Sequence, residues 1–368
     1  MMKINLRTKY IIGEVLLFTA LWIIITQIYF HIAIQGFADV IHETEFWKQF
    51  GHIYGIEDII LSGFIFGVIF SLINILFDRT RLRRLSIGKI IVIKSLLYFL
   101  ANTISDGIVL ISNIGLQPDI FTLAATAPAS NIIPVGFILA TAAYYIFFIV
   151  LLNFFYQLHK KIGARVLLNS VLGKYHQPRD EKLIFLFLDL KDSTHIAETL
   201  EHKKYSLFIK DCFALLTGPI YRNHAEVYQY VGDEAVLIWP GKKGLKNLHC
   251  LRLFFDFRRA LEQKRDYFVK KYGHFPRFKA GVDYGEVTVT EVGEIRRDLA
   301  YHGDVLNTAA RLEKLCKHVG KDLLITSYLN DELPNLNGYN REFVNEFRLE
   351  GKGNRIKVYA IEEMQTPD

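Results

Sequence analysis

The order of hydrophobic and polar residues divides the chain into two unlike halves. Long apolar runs dominate the first part, whereas shorter apolar runs alternate with charged residues in the second. Four of the long runs contain the roughly 20 apolar residues that a helix needs to cross a bilayer core. This pattern predicts a membrane domain over residues 1–156. Its four transmembrane helices are expected at about 10–33, 59–77, 89–113 and 132–156.

Positively charged residues flank these runs unevenly, which predicts the orientation. Cations precede the first run, cluster between the second and third, and follow the fourth, whereas the other two loops contain only Lys48 among several acids. Because lysine and arginine accumulate on the cytoplasmic side, we expect a multi-pass protein of the cell (inner) membrane. Its N-terminus and its polar half would be cytoplasmic. The flanking cations are Lys3, Arg7, Lys9, Arg79, Arg81, Arg83, Arg84, Lys160, Lys161 and Arg165.

Ionisable residues inside a span are functional candidates. Lys94 is close to a cytoplasmic end, where its side chain is expected to extend to the interface. Asp106 is a candidate for sensing, although pairing with neighbouring helices is the commoner role. His31, His42 and His52 lie in or near the first outer loop without metal-ligand spacing, so ordinary loop residues are favoured.

Residues 157–179 form a predicted helical connector. Apolar residues recur at helical spacing from Ile162 to Leu172, and Gln177-Pro178 is expected to end the helix. We hypothesise that two such helices pair across a dimer and transmit motion from the membrane domain. A passive spacer is the alternative.

The polar half alternates strands with long helices, which predicts an α+β domain over residues 180–362, with a mixed sheet covered by helices and a tail over 363–368. Helices are expected at 193–218, 244–271 and 304–318. Strands are expected at 183–189, in a hairpin within 225–240, at 277–283, 286–291 and 323–326, and in a last hairpin near 342–350 and 355–362.

Two acidic residues stand at strand ends in this half. The run Phe187-Leu-Asp-Leu-Lys-Asp-Ser-Thr194 ends a buried strand at Asp189, and Ser193 or Thr194 can cap the next helix. Asp233 follows Gly232 between two alternating strands, which predicts a hairpin with a carboxylate at its tip. Carboxylates beside a helix start suit metal ions that carry phosphates. Two such acids could share paired cations roughly 3.5–4 Å apart, which clamp an in-line phosphoryl displacement.

These runs resemble the catalytic domain of class III nucleotidyl cyclases, which convert ATP or GTP into the cyclic monophosphate and pyrophosphate. A third run, Tyr301-His-Gly-Asp-Val-Leu-Asn-Thr-Ala-Ala-Arg311, is similar to the family's helix with an asparagine and, four residues later, an arginine. The resemblance covers about residues 180–362 and implies a palm-like α+β fold. It implies a cyclase that acts on ATP or GTP behind the four-helix membrane region.

The resemblance also implies the site. Asp189, Asp233 and the carbonyl of Leu190 would hold two divalent cations per site, Mg²⁺ or Mn²⁺. Asn307 would orient the ribose, and Arg311 would stabilise charge on the α-phosphoryl group.

Two lysines correspond to the family's phosphate contacts. They are Lys352, in the tip Gly351-Lys-Gly353 of the last hairpin, and Lys279. Because the family's metal aspartates and its asparagine–arginine pair come from different subunits, the resemblance implies a homodimer with shared active sites.

Base choice departs from the family patterns. Gln229 stands where adenylate cyclases carry lysine and guanylate cyclases carry glutamate, and Ala300 occupies the second base-selecting position. Asp192 and Ser193 replace the common Gly-Phe of the first motif. The absence of the guanine-reading glutamate favours ATP, while GTP or both nucleotides remain alternatives.

Other functions fit less well. A net charge of +6 without a dense stripe of cations and aromatic residues does not indicate a nucleic-acid partner. No Gly-x-x-x-x-Gly-Lys-Ser/Thr run of a P-loop enzyme occurs, and the Gly-Gly-acidic-acidic-Phe hairpin of diguanylate cyclases is missing. A receptor-like pseudoenzyme remains as an alternative, which the retention of Asp189, Asp233, Asn307 and Arg311 disfavours.

Overall fold

The computed structural model divides the chain into two units, Met1–Leu168 and Asn169–Asp368. It describes residues 6–36, 56–80, 82, 85–116, 135–162, 169, 172–295, 297–348 and 355–364. Several residues of interest lie outside the described part: Lys352, His42, His52 and the side chain of Asp106.

Four long helices form the described part of the first unit. Each is long and apolar enough to cross a membrane, with candidate spans at Ile12–Ile32, Ile56–Phe77, Gly88–Ser105 and Leu139–Leu158. The prediction of four apolar helices is therefore confirmed. The helices are α1 (Leu6–Gly36), α2 (Ile56–Arg79), α3 (Ile87–Leu116) and α4 (Val135–Ile162).

Small residues let α1 and α2 approach closely. A Cβ at Gly67 would lie 2.5 Å from Thr19 Cα, and one at Gly63 would lie 2.7 Å from Ile23 Cα. This is the glycine spacing that allows helix backbones to pack in membranes, where close van der Waals contact replaces the hydrophobic effect.

The side chain of Lys94 was predicted to extend to the membrane interface, but it does not. Its side chain is buried, and Nζ donates to Asn74 Oδ1 at 2.6 Å. The ammonium also lies 5.1 Å from the ring centroid of Phe77 and 4.9 Å from that of Tyr156. An amide oxygen and two aromatic faces stabilise the cation inside the helix bundle, so the expectation was wrong.

A mixed sheet with helices on both faces forms the second unit, which confirms the predicted α+β class. The strand order is β2-β3-β1-β4-β6-β8-β7, with β5 paired to β4. All pairs are antiparallel except β4 with β6. The strands are β1 (Arg179–Leu190), β2 (Glu226–Val231), β3 (Glu234–Pro240), β4 (Phe278–Val292), β5 (Asp298–His302), β6 (Leu323–Thr326), β7 (Tyr339–Arg348) and β8 (Arg355–Glu363).

The helices of this unit cover the two faces of the sheet. Alternate residues of β1 serve the two faces because successive side chains of a strand point in opposite directions. Leu186 and Leu188 pack with α5 and α7, whereas Leu183 and Phe185 pack with α9. The helices are α5 (Ser193–Arg222), α6 (Gly241–Leu245), α7 (His249–Glu262), α8 (Arg265–Tyr272), α9 (Asp304–Val319) and α10 (Ser327–Glu332).

The structure corrects several predicted elements. The single helix expected at 244–271 is broken, because Asn247 and Leu248 adopt left-handed conformations with φ of 53° and 56°. The two strands expected between 277 and 291 are one continuous strand, since Gly285 pairs with Leu183 inside the sheet. Turns occupy residues 172–177, so no helix continues to Pro178.

Candidate active site

Asp189 lies at the carboxyl end of β1, beside the hairpin that carries Asp233. In the pairing of β1 with β3, Leu188 is opposite Ala235. The next residue of β1, Asp189, therefore comes level with Glu234, the residue that follows Asp233. Strand register alone brings the two acidic runs to one end of the sheet.

The turn between β2 and β3 presents Asp233 at its tip. Val231 pairs with Glu234, which leaves the two-residue turn Gly232-Asp233. Gly232 has φ of 61°, a conformation that glycine adopts without a Cβ penalty and that type II′ hairpin turns use at their first position. The predicted hairpin with a carboxylate at its tip is confirmed.

The negative charges of Asp189 and Asp233 both raise the pKa values of the same two neighbouring side chains. Burial, then the charge of Asp233, a hydrogen bond to Asp233 and the charge of Asp189 raise the pKa of Tyr205 to about 12. Burial, followed by the charges of Asp189 and Asp233, also raises the pKa of Glu234. Because salt screens charges over roughly 8 Å, two side chains that respond to both carboxylates indicate one shared electrostatic environment.

One oxygen of Asp233 lacks a hydrogen-bond partner among the described residues. Oδ2 is buried and accepts no hydrogen bond, an arrangement that is costly for a carboxylate. A divalent cation is a partner that would remove this cost, so the donor set fits a metal ion.

The protein alone would not complete a coordination sphere. No group of three or more His, Cys, Asp or Glu side chains with metal-binding geometry occurs in the described part of the chain. Leu190 pairs with Phe278 and its side chain is buried in the core, so Leu190 could contribute only its backbone carbonyl. Remaining ligands would be phosphate oxygens and water, as is usual for Mg²⁺ at nucleotides.

Lys279 lies between two carboxylates. It is directly opposite Asp189 in the pairing of β1 with β4, and Nζ donates to Asp189 Oδ2 at 2.9 Å. The same ammonium contacts the carboxylate of Glu313, which is only 3% exposed. The lysine expected at the phosphates is therefore paired with a candidate metal ligand in this structure.

Asn307 and Arg311 lie one turn apart on α9 and share a face. Asn307 is exposed and Arg311 is half-buried. The helix rests directly on β4, because a Cβ at Gly281 would lie 2.2 Å from Ala309 O and 2.4 Å from Glu313 N. Gly281 thus sets the depth at which α9 presents both side chains.

The two predicted base-selecting positions lie beside one aromatic cluster. Gln229 on β2 follows Tyr228, and Ala300 on β5 precedes Tyr301. The ring centroids of these tyrosines are 4.9 Å apart, and both rings contact Phe185 of β1. Gln229 is exposed and Ala300 is half-buried. Aromatic packing therefore brings together the backbones that carry the two positions.

The start of α5 differs from the expectation. The helix begins at Ser193, and its N-cap is Asp192, with φ of 55° and ψ of 29° and no side-chain cap. Capping by Ser193 or Thr194 is therefore wrong. Ser193 instead forms a hydrogen bond with Tyr205, which leaves the positive end of the helix dipole without a side-chain cap close to Asp189.

Tyr205, Glu234 and Glu313 are residues of this site that were not predicted from the sequence. Glu313 did carry a signal, because it falls on the buried stripe of α9 between Ala309 and Cys316, and a buried carboxylate requires a partner. Tyr205 carried none, since its hydroxyl reaches Asp233 only through the packing of α5 against the hairpin.

Known proteins resemble part of this chain. Residues 175–363 match the family model described as the adenylate and guanylate cyclase catalytic domain. Adenylate cyclase 2 of Rhizobium meliloti (strain 1021) is 30% identical over 208 residues, which are 56% of this chain and 57% of that protein. An adenylate cyclase of Anabaena cylindrica is 24% identical over 184 residues, 49% of this chain and 36% of that protein.

A solved structure of a bacterial light-regulated adenylyl cyclase shares the fold. It has a TM-score of 0.51 at 23% identity, over 59% of this chain and 65% of that one. The matched region spans 57% of the Rhizobium meliloti protein and 36% of the Anabaena cylindrica protein, so the chain covers only part of each relative's length. Because the family model matches half of the chain and coincides with the sheet unit, the chain belongs to the family of the adenylate and guanylate cyclase catalytic domain.

Proposed function

We propose that this chain is a membrane-anchored nucleotidyl cyclase that converts ATP into 3′,5′-cyclic AMP and pyrophosphate. The observation that carries the proposal is the shared environment of Asp189 and Asp233 at one end of the sheet. In the reaction, the ribose 3′-oxygen loses its proton and bonds to the α-phosphorus. The bond from that phosphorus to the bridging oxygen breaks, and pyrophosphate leaves.

Asp189, Asp233 and the Leu190 carbonyl would hold two divalent cations, Mg²⁺ or Mn²⁺. Bound cations of this kind lower the pKa of the attacking hydroxyl and offset the charge of the triphosphate. The protein contributes the position of the carboxylates, fixed by the β1–β3 register and by the hairpin turn.

The remaining side chains bind and orient the nucleotide. Asn307 would hold the ribose, while the planar guanidinium of Arg311 would donate to the α-phosphoryl oxygens as charge develops there. Lys279 and Lys352 would contact the polyphosphate. We assign base recognition to Gln229 and the backbone at Ala300.

Two subunits would complete each site. Asp189 and Asp233 of one chain would face Asn307 and Arg311 of a second copy, which gives a symmetric homodimer with two sites. Complementation tests this arrangement. A mixture of D189A and R311A chains should recover one intact site, and inactive heterodimers would exclude sharing.

The four apolar helices would anchor the chain in the inner membrane with the cyclase unit in the cytoplasm, where nucleoside triphosphates are available. Residues 1–156 would then be the membrane domain, 157–179 the connector, 180–362 the catalytic domain and 363–368 a tail. We propose that the membrane domain controls activity through the connector.

ATP is the proposed substrate because the curated relatives named above are adenylate cyclases. GTP is the second candidate, since the exposed amide of Gln229 can both donate and accept hydrogen bonds and so suits either purine.

The test is product identification with the purified full-length chain in lipid nanodiscs. ATP or GTP is supplied with Mg²⁺ or Mn²⁺, and the products are separated by chromatography. We expect cyclic AMP and pyrophosphate in equal amounts, and none from D189N. Cyclic GMP alone would establish the second candidate. No cyclic product from folded protein would favour a receptor-like pseudoenzyme.

A further inference from the structure

The ammonium group of Lys279 forms an ion pair with one carboxylate oxygen of Asp189. Nζ lies 2.9 Å from Oδ2, and 12% of the lysine side chain and 20% of the aspartate side chain are exposed. A carboxylate oxygen that accepts a charge-assisted hydrogen bond offers less charge to a metal ion. Lys279 and a metal ion therefore compete for Asp189.

Glu313 holds the same ammonium from the side of α9. Its carboxylate is nearly fully buried, and its backbone N–H rests against Gly281, two residues along β4 from Lys279. Because a buried carboxylate is strongly destabilising without a partner, Glu313 retains the lysine whether or not Asp189 is engaged. Lys279 can therefore leave Asp189 without leaving the site.

The surrounding charges favour such an exchange. The charges of Asp189 and Asp233 raise the pKa of Glu234, whereas the charges of Lys314 and Lys279 lower it. Without nucleotide, Lys279 offsets part of this negative charge. A metal–triphosphate complex would repel the ammonium through its metal ion and attract it through its phosphates.

We propose that Lys279 is a placeholder cation, which occupies Asp189 in the nucleotide-free protein and passes to the triphosphate when a metal ion binds Asp189. The proposal rests on the proposed function and deepens it. Free metal would bind poorly and the metal–nucleotide complex well, so metal loading and substrate binding would occur together. Lys279 is in this sense a positioning residue for the metal.

Binding of Mn²⁺ to the full-length, nucleotide-free protein tests the proposal through the electron paramagnetic resonance signal of unbound Mn²⁺. Lys279→Met should bind Mn²⁺ about tenfold more tightly than wild type, because a competing charge is removed from Asp189. Lys243→Met is the control. It removes an exposed lysine that lies beyond the end of β3 opposite the Gly232-Asp233 turn, where salt screens its charge from the site, and it should change Mn²⁺ affinity by less than about twofold.

A second variant covers the loss of stability that an unpaired Glu313 would cause. K279M/E313Q removes both charges and should also bind Mn²⁺ more tightly than wild type. Adding a non-hydrolysable ATP analogue should increase Mn²⁺ affinity more in wild type than in either variant, because only wild type has the lysine to contact the phosphates. Unchanged or weaker Mn²⁺ binding in both variants, or equal gains with the analogue, would overturn the proposal.

Cyclic nucleotide formation by the same wild-type preparation is read separately. An inactive wild type with tighter Mn²⁺ binding in both variants would refute the cyclase activity and leave the placeholder standing. An active wild type with unchanged Mn²⁺ binding in both variants would support the cyclase activity and refute the placeholder.

Discussion

The backbone N–H of Glu291, near the end of β4, donates a hydrogen bond of 3.0 Å to the carbonyl oxygen of Tyr175. His176 Nδ1 also lies 3.0 Å from Glu291 Oε2. The Tyr175 side chain is buried in a cluster that contains Val305 and Ala309 of α9. The segment before β1 is therefore attached both to β4 and to the helix that carries two candidate catalytic residues.

Tyr175→Ala should disturb this attachment. Loss of a buried aromatic side chain costs about 3 kcal/mol or more of unfolding free energy, and α9 would lose packing at Val305 and Ala309. We expect a lower melting temperature and reduced cyclase activity. Tyr175→Phe is the control because it keeps the ring and loses only the hydroxyl contacts to Lys174 and Glu181. Equal effects of both variants would show that the ring is unimportant.

Gly281→Ala should displace α9 from the sheet. The new Cβ would meet backbone atoms of Ala309 and Glu313 closer than van der Waals contact, so the helix must shift as a whole. We expect a loss of roughly 3 kcal/mol of stability and of most activity. In Gly285→Ala the added Cβ would meet Val305 Cγ2, a side-chain atom, at 2.8 Å, and that change should be milder in both assays.

Tyr205→Phe should raise the metal concentration that activity requires. The substitution removes the hydroxyl that bonds Asp233 and leaves the ring in place, so the carboxylate is less well oriented. We expect about a tenfold loss of activity at limiting Mg²⁺, restored as Mg²⁺ increases. Tyr221→Phe changes an exposed tyrosine on the same helix and should leave the Mg²⁺ dependence unaltered. A loss that excess Mg²⁺ does not restore would contradict this role.

Stability should fall as the pH falls below neutrality because of His249. Burial, followed by the charges of His224, Arg252 and Lys246, lowers the pKa of His249 from 6.5 to about 4. Between these pH values His249 is protonated in the unfolded chain and neutral in the folded chain. The free energy of unfolding therefore falls by about 1 kcal/mol for each unit by which the pH falls. The contribution is constant above pH 6.5.

Chemical denaturation at several pH values between 4.5 and 7.5 measures this slope. His249→Gln should flatten it, whereas His202→Gln, which changes an exposed histidine, should not. An unchanged slope in His249→Gln would assign the acid sensitivity to other groups.

Gln229→Glu should shift the substrate preference toward GTP. A carboxylate at this exposed position can accept hydrogen bonds from guanine, whereas adenine would lose the amide donor. Competition between ATP and GTP, with both cyclic products quantified, measures the shift. An unchanged product ratio would mean that this side chain does not meet the base.

Sequence patterns predicted the parts of the site that depend on local structure. Asp189 at a strand end and Asp233 in a two-residue turn follow from alternation and turn chemistry. The strand Asp298–His302 was missed because it is short and polar at its start. Tyr205 and the ion pair of Lys279 with Glu313 were also missed, because they depend on side chains that meet only after the sheet and helices have packed.

β4 joins the two ends of this unit through 15 residues of continuous strand, with Lys279 near one end and Glu291 near the other. Linkage between binding sites is reciprocal: a state of the preceding segment that alters nucleotide affinity must itself be altered by nucleotide to the same extent in free energy. A spectroscopic probe at His176 would then report on substrate occupancy, and the proposed control of the cyclase unit by the membrane domain would operate in both directions.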